Sequence, residues 1–180
     1  MRDALIVSTA RTPLTKSYRG TFNNTTAPTM AGWAIEEAVK RSGVDPEKVD
    51  DVIMGAALQQ GTTHCNVARN AALAAGLPVT VSGMTLDRQC SSGMMAIATA
   101  AKQIISDGMD VVVGGGLDSI SLVQTEKMNL DRWVDKKLIS KHKHIYMPML
   151  KTAEVVANRY NISRESQDEY SLQSQLRTAK

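Results

Sequence analysis

Along residues 4–113, short apolar runs alternate with segments in which apolar residues recur every three or four positions. The runs are typical of buried strands, and the recurring positions are typical of helices with one apolar face. The predicted strands span residues 4–10, 51–55, 79–86 and 109–113. The predicted helices between them span residues 30–41, 66–75 and 94–106. This alternation predicts an α/β fold with a largely parallel sheet that is covered by helices on both faces.

Proline and glycine residues mark the ends of these predicted elements. Pro13 follows the first strand, and the residue before a proline avoids the helical conformation. Pro28 suits the start of a helix, whereas Gly43, Gly76 and Gly108 suit helix ends. The boundaries therefore have support that does not depend on hydrophobic periodicity.

The character of the sequence changes after Ser119. Residues 124–144 are polar and charged, with Trp133 as their large apolar anchor, and they predict a loop. Two more helices are predicted, over residues 153–160 and from Ser163, which suits an N-cap, to the end of the chain. The two predicted domains span residues 1–120 and 121–180.

Composition narrows the classes of function. The net charge is +3 and aromatic residues make up 4% of the 180 residues, which argues against a base-stacking nucleic-acid surface. No apolar stretch reaches the length of a membrane span, and no secretory signal opens the sequence. Two cysteines, Cys65 and Cys90, fit a reducing compartment, although their spacing leaves a disulfide between them open. We therefore expect a cytoplasmic protein without a nucleic-acid partner.

Cys90 lies where an apolar strand ends and a helix of small residues begins. The first helical turn offers unpaired N–H groups and the positive end of the helix dipole, and both favour the nucleophilic thiolate. Ser91, Ser92 and Gly93 are small enough to let a bulky thioester approach the sulfur. The alternative is a cysteine that serves as a small buried apolar residue.

Two other patterns invite a functional interpretation. Three glycines at 114–116 follow a strand, but their spacing does not match the dinucleotide fingerprint and no P-loop lysine follows. Close backbone packing is the favoured explanation for them. His142 and His144 alternate with lysines, which repel a metal cation, so we predict no metal site there.

Four motifs, in order along the chain, carry a resemblance to a known family. Residues 89–93 read Gln-Cys-Ser-Ser-Gly, and residues 111–119 form an apolar run that ends in three glycines, Leu, Asp and Ser. Residues 10–13 read Ala-Arg-Thr-Pro, and residues 152–157 read Thr-Ala-Glu-Val-Val-Ala. With this order and spacing, essentially all of residues 4–178 resembles the thiolases.

The resemblance implies a thiolase-like fold of two similar α/β halves stacked in layers. This chain would form the N-terminal half and the start of the loop domain, which contributes to substrate binding. Cys90 would attack an acyl-coenzyme A and hold the acyl group as a thioester, and coenzyme A would be a substrate and product. Met149 would line the acyl pocket, although a core methionine is an equally good explanation. The resemblance implies no metal or prosthetic group, and a homodimer or homotetramer.

The chain also departs from the thiolase pattern. The family's catalytic histidine, second cysteine and asparagine belong to its C-terminal half, and no histidine here has a matching context. A second half or a partner chain would have to supply them. Thr15 and Leu150 stand where many thiolases have glycine. Two alternatives therefore stay open: a related condensing enzyme that uses carrier-protein substrates, and a non-catalytic half that acts as a scaffold. The sequence leaves open the acyl chain length and the direction of the reaction, degradative or biosynthetic.

Overall fold

The computed structural model describes residues 2–180 and divides the chain into two compact units, Met1–Asn129 and Leu130–Lys180. The first unit has α/β architecture. Its helices are α1 (Ala27–Ser42), α2 (Val67–Ala74), α3 (Ser92–Lys102) and α4 (Ile120–Val123). Its strands are β1 (Asp51–Gly55), β2 (Ser82–Leu86) and β3 (Val112–Gly116). The domain limits predicted from sequence, with a boundary near residue 120, stay a prediction.

Among residues 2–180, the strands form one three-stranded parallel sheet in the order β2-β1-β3. Asp51 pairs with Ser82 on one side and with Val112 on the other, so the three strands end at a common edge. All five residues of β1 are buried, as expected for the central strand of a covered parallel sheet.

Helices cover both faces of the sheet, as the sequence pattern predicts. Val52 and Met54 of β1 belong to a buried cluster that includes residues of α1 and α2. Ile53, which points to the opposite face, packs with Ala96 and Ala100 of α3. The predicted α/β fold with a parallel sheet is confirmed.

The second unit is helical. Its helices are α5 (Lys136–Lys141), α6 (Met149–Arg159) and α7 (Arg164–Thr178). The predicted cap of the last helix is confirmed, because Ser163 Oγ accepts a hydrogen bond from the N–H of Ser166 at 3.2 Å. Helix α5 lies inside the region predicted to be a loop, where Asp135 accepts hydrogen bonds from the N–H groups of Lys137 and Leu138.

The prediction of a strand over residues 4–10 is wrong. These residues form no regular structure, and Leu5, Ile6 and Val7 are largely exposed. A strand needs the backbone N–H and C=O groups of a neighbour, and the described strands pair only with one another. An apolar run signals strand preference but does not supply the partner.

Two other strand boundaries differ from the prediction. β2 begins at Ser82 rather than residue 79, because the Val81 N–H bonds to the carbonyl of Pro78 and closes a turn. β3 begins at Val112 rather than residue 109, and the Asp50 carboxylate accepts the N–H groups of Asp110 and Val111. A side chain distant in sequence therefore shifts the strand toward the glycines.

Helices α1, α2 and α3 follow the prediction, with longer N-terminal ends for α1 and α3, whereas the short helix α4 was not predicted. Gly43 closes α1 in a left-handed conformation with φ 71°. Helix α3 begins at Ser92 rather than at residue 94, and its C-terminal end continues as a π-helical turn, Gln103–Asp107. Gly108, with φ 80°, ends that turn. The two added residues bring α3 to within two positions of Cys90.

Candidate active site

Cys90 lies on the turn that joins β2 to α3, at the edge of the sheet where all three strands end. Its side chain is exposed and it forms no disulfide, and Cys65 is also free and exposed. The residue before it, Gln89, has a left-handed backbone with φ 50°, which is uncommon for a residue with a Cβ. The thiol therefore stands in solvent on a tightly bent turn and does not fill a position in the core of this unit.

Side-chain hydrogen bonds within the turn hold this conformation. Asp87 Oδ1 accepts the N–H of Gln89 at 2.6 Å. Ser92 Oγ accepts the N–H of Arg88 at 2.8 Å and donates to the carbonyl of Gln89 at 2.6 Å. Ser92 itself is buried, with 3% of its surface exposed. The turn before the cysteine is thus fixed at both ends by one carboxylate and one hydroxyl.

Glycines allow the start of α3 to lie directly on the sheet. A Cβ at Gly55 would overlap the backbone carbonyl of Ser92, and one at Gly116 would lie 2.8 Å from the Cα of Gly93. A Cβ at Gly114 would lie 3.0 Å from the Cα of Ile97. The glycine run therefore serves close helix–sheet packing, which is the explanation favoured from sequence.

Asp118 is a second acidic residue near this edge, and the sequence reasoning did not single it out. Its Oδ1 accepts the N–H of Ala57 at 3.2 Å. Although Asp118 is exposed as a residue, partial burial of its carboxyl raises its pKa. The N–H groups of Ala57 and Leu58 oppose that rise, whereas the nearby charge of Asp87 adds to it. The sequence signal that could have found it is an acidic residue two positions after the end of β3, at the edge where the three strands end.

The raised pKa of Asp118 predicts a pH-dependent stability. A carboxyl whose pKa is higher in the folded state favours folding below about pH 4 and loses that contribution as the pH rises through its raised pKa. Asp118→Asn keeps an acceptor for the Ala57 N–H and removes the charge. We therefore expect the unfolding free energy of the variant, compared with that of the wild type, to be higher at about pH 7 than at about pH 3.5.

Urea denaturation at both pH values measures this difference. Asp3→Asn, at an exposed position near the chain start, is the control and should show no such gain. A difference between Asp118→Asn and the wild type that stays constant or shrinks with rising pH would contradict the assignment.

The sequence of residues 4–180 matches the family model described as the N-terminal domain of thiolase. The chain belongs to the thiolase family. The family predicted from the four motifs is thereby confirmed. The matched region takes in Cys90 with its turn and also the helices of the second unit.

Similar thiolases are known from several bacteria. The 3-ketoacyl-CoA thiolase of Bacillus subtilis is 37% identical over 180 residues, covering 100% of this chain and 46% of that protein. The acetyl-CoA acetyltransferase of Cupriavidus necator is 37% identical over 185 residues, covering 97% of this chain and 47% of that protein. The crystal structure of the acetyl-CoA acetyltransferase of Bacillus anthracis matches with a TM-score of 0.80 and 39% identity, over 96% of this chain and 45% of that one. The chain has a thiolase-like fold and spans less than half the length of these relatives.

The other residues singled out from the sequence, Met149 and the three histidines, do not belong to the turn that carries Cys90. Met149 is the first residue of α6 in the second unit, and 78% of its surface is exposed. His64 is exposed in the first unit, and His142 and His144 are exposed in the second. Across residues 2–180, no three His, Cys, Asp or Glu side chains are grouped to hold a metal ion. Nor does that part of the chain contain a helix long and apolar enough to cross a membrane.

Proposed function

We propose that this chain carries the nucleophile of a thiolase-type acyltransferase that acts on acyl-coenzyme A. The observation that supports it most directly is the exposed Cys90 thiol on the turn between β2 and α3 in a chain of the thiolase family. The relatives described above are named for reactions of coenzyme A thioesters. Their chemistry needs an accessible nucleophile, which this turn presents.

In the proposed first step, the Cys90 thiolate attacks the carbonyl carbon of an acyl-coenzyme A. A new carbon–sulfur bond forms, the bond to the sulfur of coenzyme A breaks, and coenzyme A leaves as a thiolate that takes up a proton. In the synthetic direction, a base removes an α-proton from a second acetyl-coenzyme A, and the carbanion attacks the acyl carbon, so that a carbon–carbon bond forms and the bond to Cys90 breaks. In the degradative direction the steps run in reverse: the Cys90 thiolate attacks the ketone carbon of a 3-ketoacyl-coenzyme A, the carbon–carbon bond breaks as acetyl-coenzyme A leaves with a proton, and coenzyme A gives up its thiol proton and takes the acyl group from Cys90. The thiolate of Cys90 is then regenerated. Coenzyme A is both a substrate and a product of the proposed reaction, which uses no metal or prosthetic group.

The attack creates an oxyanion that needs hydrogen-bond donors. The N–H groups of Ser91 and Ser92 already donate to the carbonyls of Arg88 and Gln89, at 3.1 and 3.0 Å. Within the turn, we therefore assign the N–H of Cys90 as the donor to the oxyanion, as the resemblance to the thiolases also implies. Helix α3 adds the positive end of its dipole on the same side.

The remaining parts of the proposed enzyme follow from the family resemblance. We assign Met149 to the wall of the acyl pocket, because it stands exposed at the start of α6 beside the Thr-Ala-Glu motif. The acid–base histidine and second cysteine would come from a second thiolase half or from a partner chain. We propose a cytoplasmic homodimer or homotetramer, for which the exposed Met94 and Ile97 of α3 offer an apolar contact. Beta-oxidation is one pathway that such an enzyme would serve.

A comparison of acyl donors tests the substrate class. The protein, purified with any polypeptide that accompanies it, is exposed to radiolabelled acetyl-coenzyme A and, separately, to radiolabelled acetyl-carrier protein at equal concentration. We expect covalent label from acetyl-coenzyme A at least about tenfold faster than from the carrier protein. Faster labelling from the carrier protein would instead indicate the condensing-enzyme alternative, and no labelling from either donor would favour the scaffold alternative.

A further inference from the structure

We propose that Asp87 and Ser92 are positioning residues that present Cys90 to its substrate by holding Gln89 in the left-handed conformation. The inference deepens the proposed function and rests on it for the role of Cys90. It rests on the turn's own hydrogen bonds for everything else. Neither side chain is assigned to contact the acyl group or coenzyme A.

The backbone of this turn carries an energetic cost at Gln89. Gln89 has φ 50°, a conformation that costs a residue with a Cβ about 1–2 kcal/mol. Such a conformation persists only where the surroundings determine it. Gln89 is exposed, so packing of its side chain does not provide that determination. Hydrogen bonds to its backbone have to provide it.

The two proposed residues bind both backbone polar groups of Gln89. Its N–H donates to Asp87 Oδ1 at 2.6 Å, and its carbonyl accepts from Ser92 Oγ at 2.6 Å. The carbonyl also accepts the N–H of Ser92 at 3.0 Å. Ser92 Oγ in turn accepts the N–H of Arg88 at 2.8 Å. The left-handed residue is therefore held from both sides, directly before Cys90.

One of the two residues, Ser92, is anchored in the core. Ser92 is 3% exposed, and its backbone carbonyl lies in the space that a Cβ of Gly55 would occupy. Gly55 is the last residue of the buried central strand β1. Ser92 therefore fixes the Cys90 turn relative to the sheet, because its backbone packs on Gly55 and its hydroxyl binds the carbonyl of Gln89. Asp87, which is exposed, completes the arrangement from the solvent side.

Four variants of the whole protein test this arrangement: Asp87→Ala, Asp87→Asn, Ser92→Ala and the double variant Asp87→Ala with Gln89→Gly. The first readout is the rate at which iodoacetamide alkylates Cys90, because this reaction does not depend on the proposed acyl chemistry. Cys65 is also exposed and free, and it serves as the internal control. Peptide mapping assigns the label to each cysteine, and circular dichroism verifies that each variant is folded.

We expect Asp87→Ala and Ser92→Ala to slow alkylation of Cys90 about tenfold, the equivalent of one lost hydrogen bond of typical strength, and to leave Cys65 unchanged. Asp87→Asn keeps the acceptor for the Gln89 N–H and should retain the wild-type rate. Gln89→Gly removes the cost of a positive φ, so the double variant should recover most of the loss. With acetyl-coenzyme A, the maximal rate of acylation should fall while half-saturation stays the same.

Equal effects of Asp87→Asn and Asp87→Ala would show that the charge of Asp87 matters rather than its hydrogen bond, and would overturn the proposal. An unchanged alkylation rate in a folded Asp87→Ala variant would also overturn it. Failure of the proposed function has a different signature. In that case Cys90 would not be acylated in the wild type, yet its alkylation would still respond to the four variants.

Discussion

Cys90→Ser is expected to lower the rate of acylation by acetyl-coenzyme A by more than about a hundredfold, because a serine hydroxyl ionises far less than a thiol at neutral pH. The two side chains differ little in volume, and Cys90 is exposed, so the fold should be preserved. Incorporation of radiolabelled acetyl groups, followed over time, measures the rate. Circular dichroism of the same samples verifies the fold.

Cys65→Ser provides the matched control for this loss. Cys65 is the other free and exposed cysteine, and its backbone is also left-handed, with φ 49°. Its replacement makes the same chemical change on a different loop of the same unit, and acylation should continue at the wild-type rate. A Cys90→Ser protein that is acylated as fast as the wild type would show that Cys90 is not the nucleophile. Loss of acylation in Cys65→Ser would indicate that Cys65, and not Cys90, accepts the acyl group.

Gly55→Ala is expected to lower the free energy of unfolding by at least about 3 kcal/mol, the upper end of the cost of overpacking a core. The added Cβ would overlap backbone atoms of Ser92 and Gly93, which cannot rotate away as a flexible side chain can. Gly55 ends the central strand β1, whose residues are all buried. Helix α3 would have to move away from the sheet, and the Cys90 turn would move with it.

Gly115→Ala, on the neighbouring strand β3, is the control for this change. Its Cβ would meet only the flexible end of the Met54 side chain, at 3.3 Å from the sulfur, so we expect a loss below about 1 kcal/mol. Urea denaturation of both variants gives the two values. A Gly55→Ala protein as stable as Gly115→Ala would show that α3 does not rest on β1 as described.

The sequence predicted those parts of the fold that have local signals. Helices α1 and α2 and the turn before α7 carry their own prolines, glycines and caps, and Gly43 and Ser163 behave as expected. The parallel sheet followed from the alternation of strands and helices. The strand prediction over residues 4–10 was wrong because a local preference for a strand does not supply a neighbouring strand to pair with. The predicted start of β3 was wrong because the Asp50 carboxylate, distant in sequence, accepts the N–H groups of Asp110 and Val111 just before the strand.

The candidate site shows the same division. Cys90 was recognisable because a strand ends and a helix begins on either side of it. The role of Ser92, the first residue of α3, was not recognisable, because it depends on contact with Gly55 at the end of β1. Asp118 was missed for a similar reason, because its neighbours Ala57 and Asp87 come from other strand ends. Local sequence predicted Cys90 as the candidate nucleophile, whereas the contacts of Ser92 with Gly55 and of Asp118 with Ala57 depend on the sheet.

Intact mass spectrometry tests most directly whether Cys90 forms an acyl-enzyme. The protein is exposed briefly to acetyl-coenzyme A, alone and together with any polypeptide that purifies with it, and is then digested for peptide mapping. We predict one added acetyl group on the peptide that contains Cys90, and its appearance only with the second polypeptide would show that the active site is shared between chains. Absence of the acetyl group under both conditions, or its presence on a different residue, would contradict the assignment of Cys90 as the nucleophile.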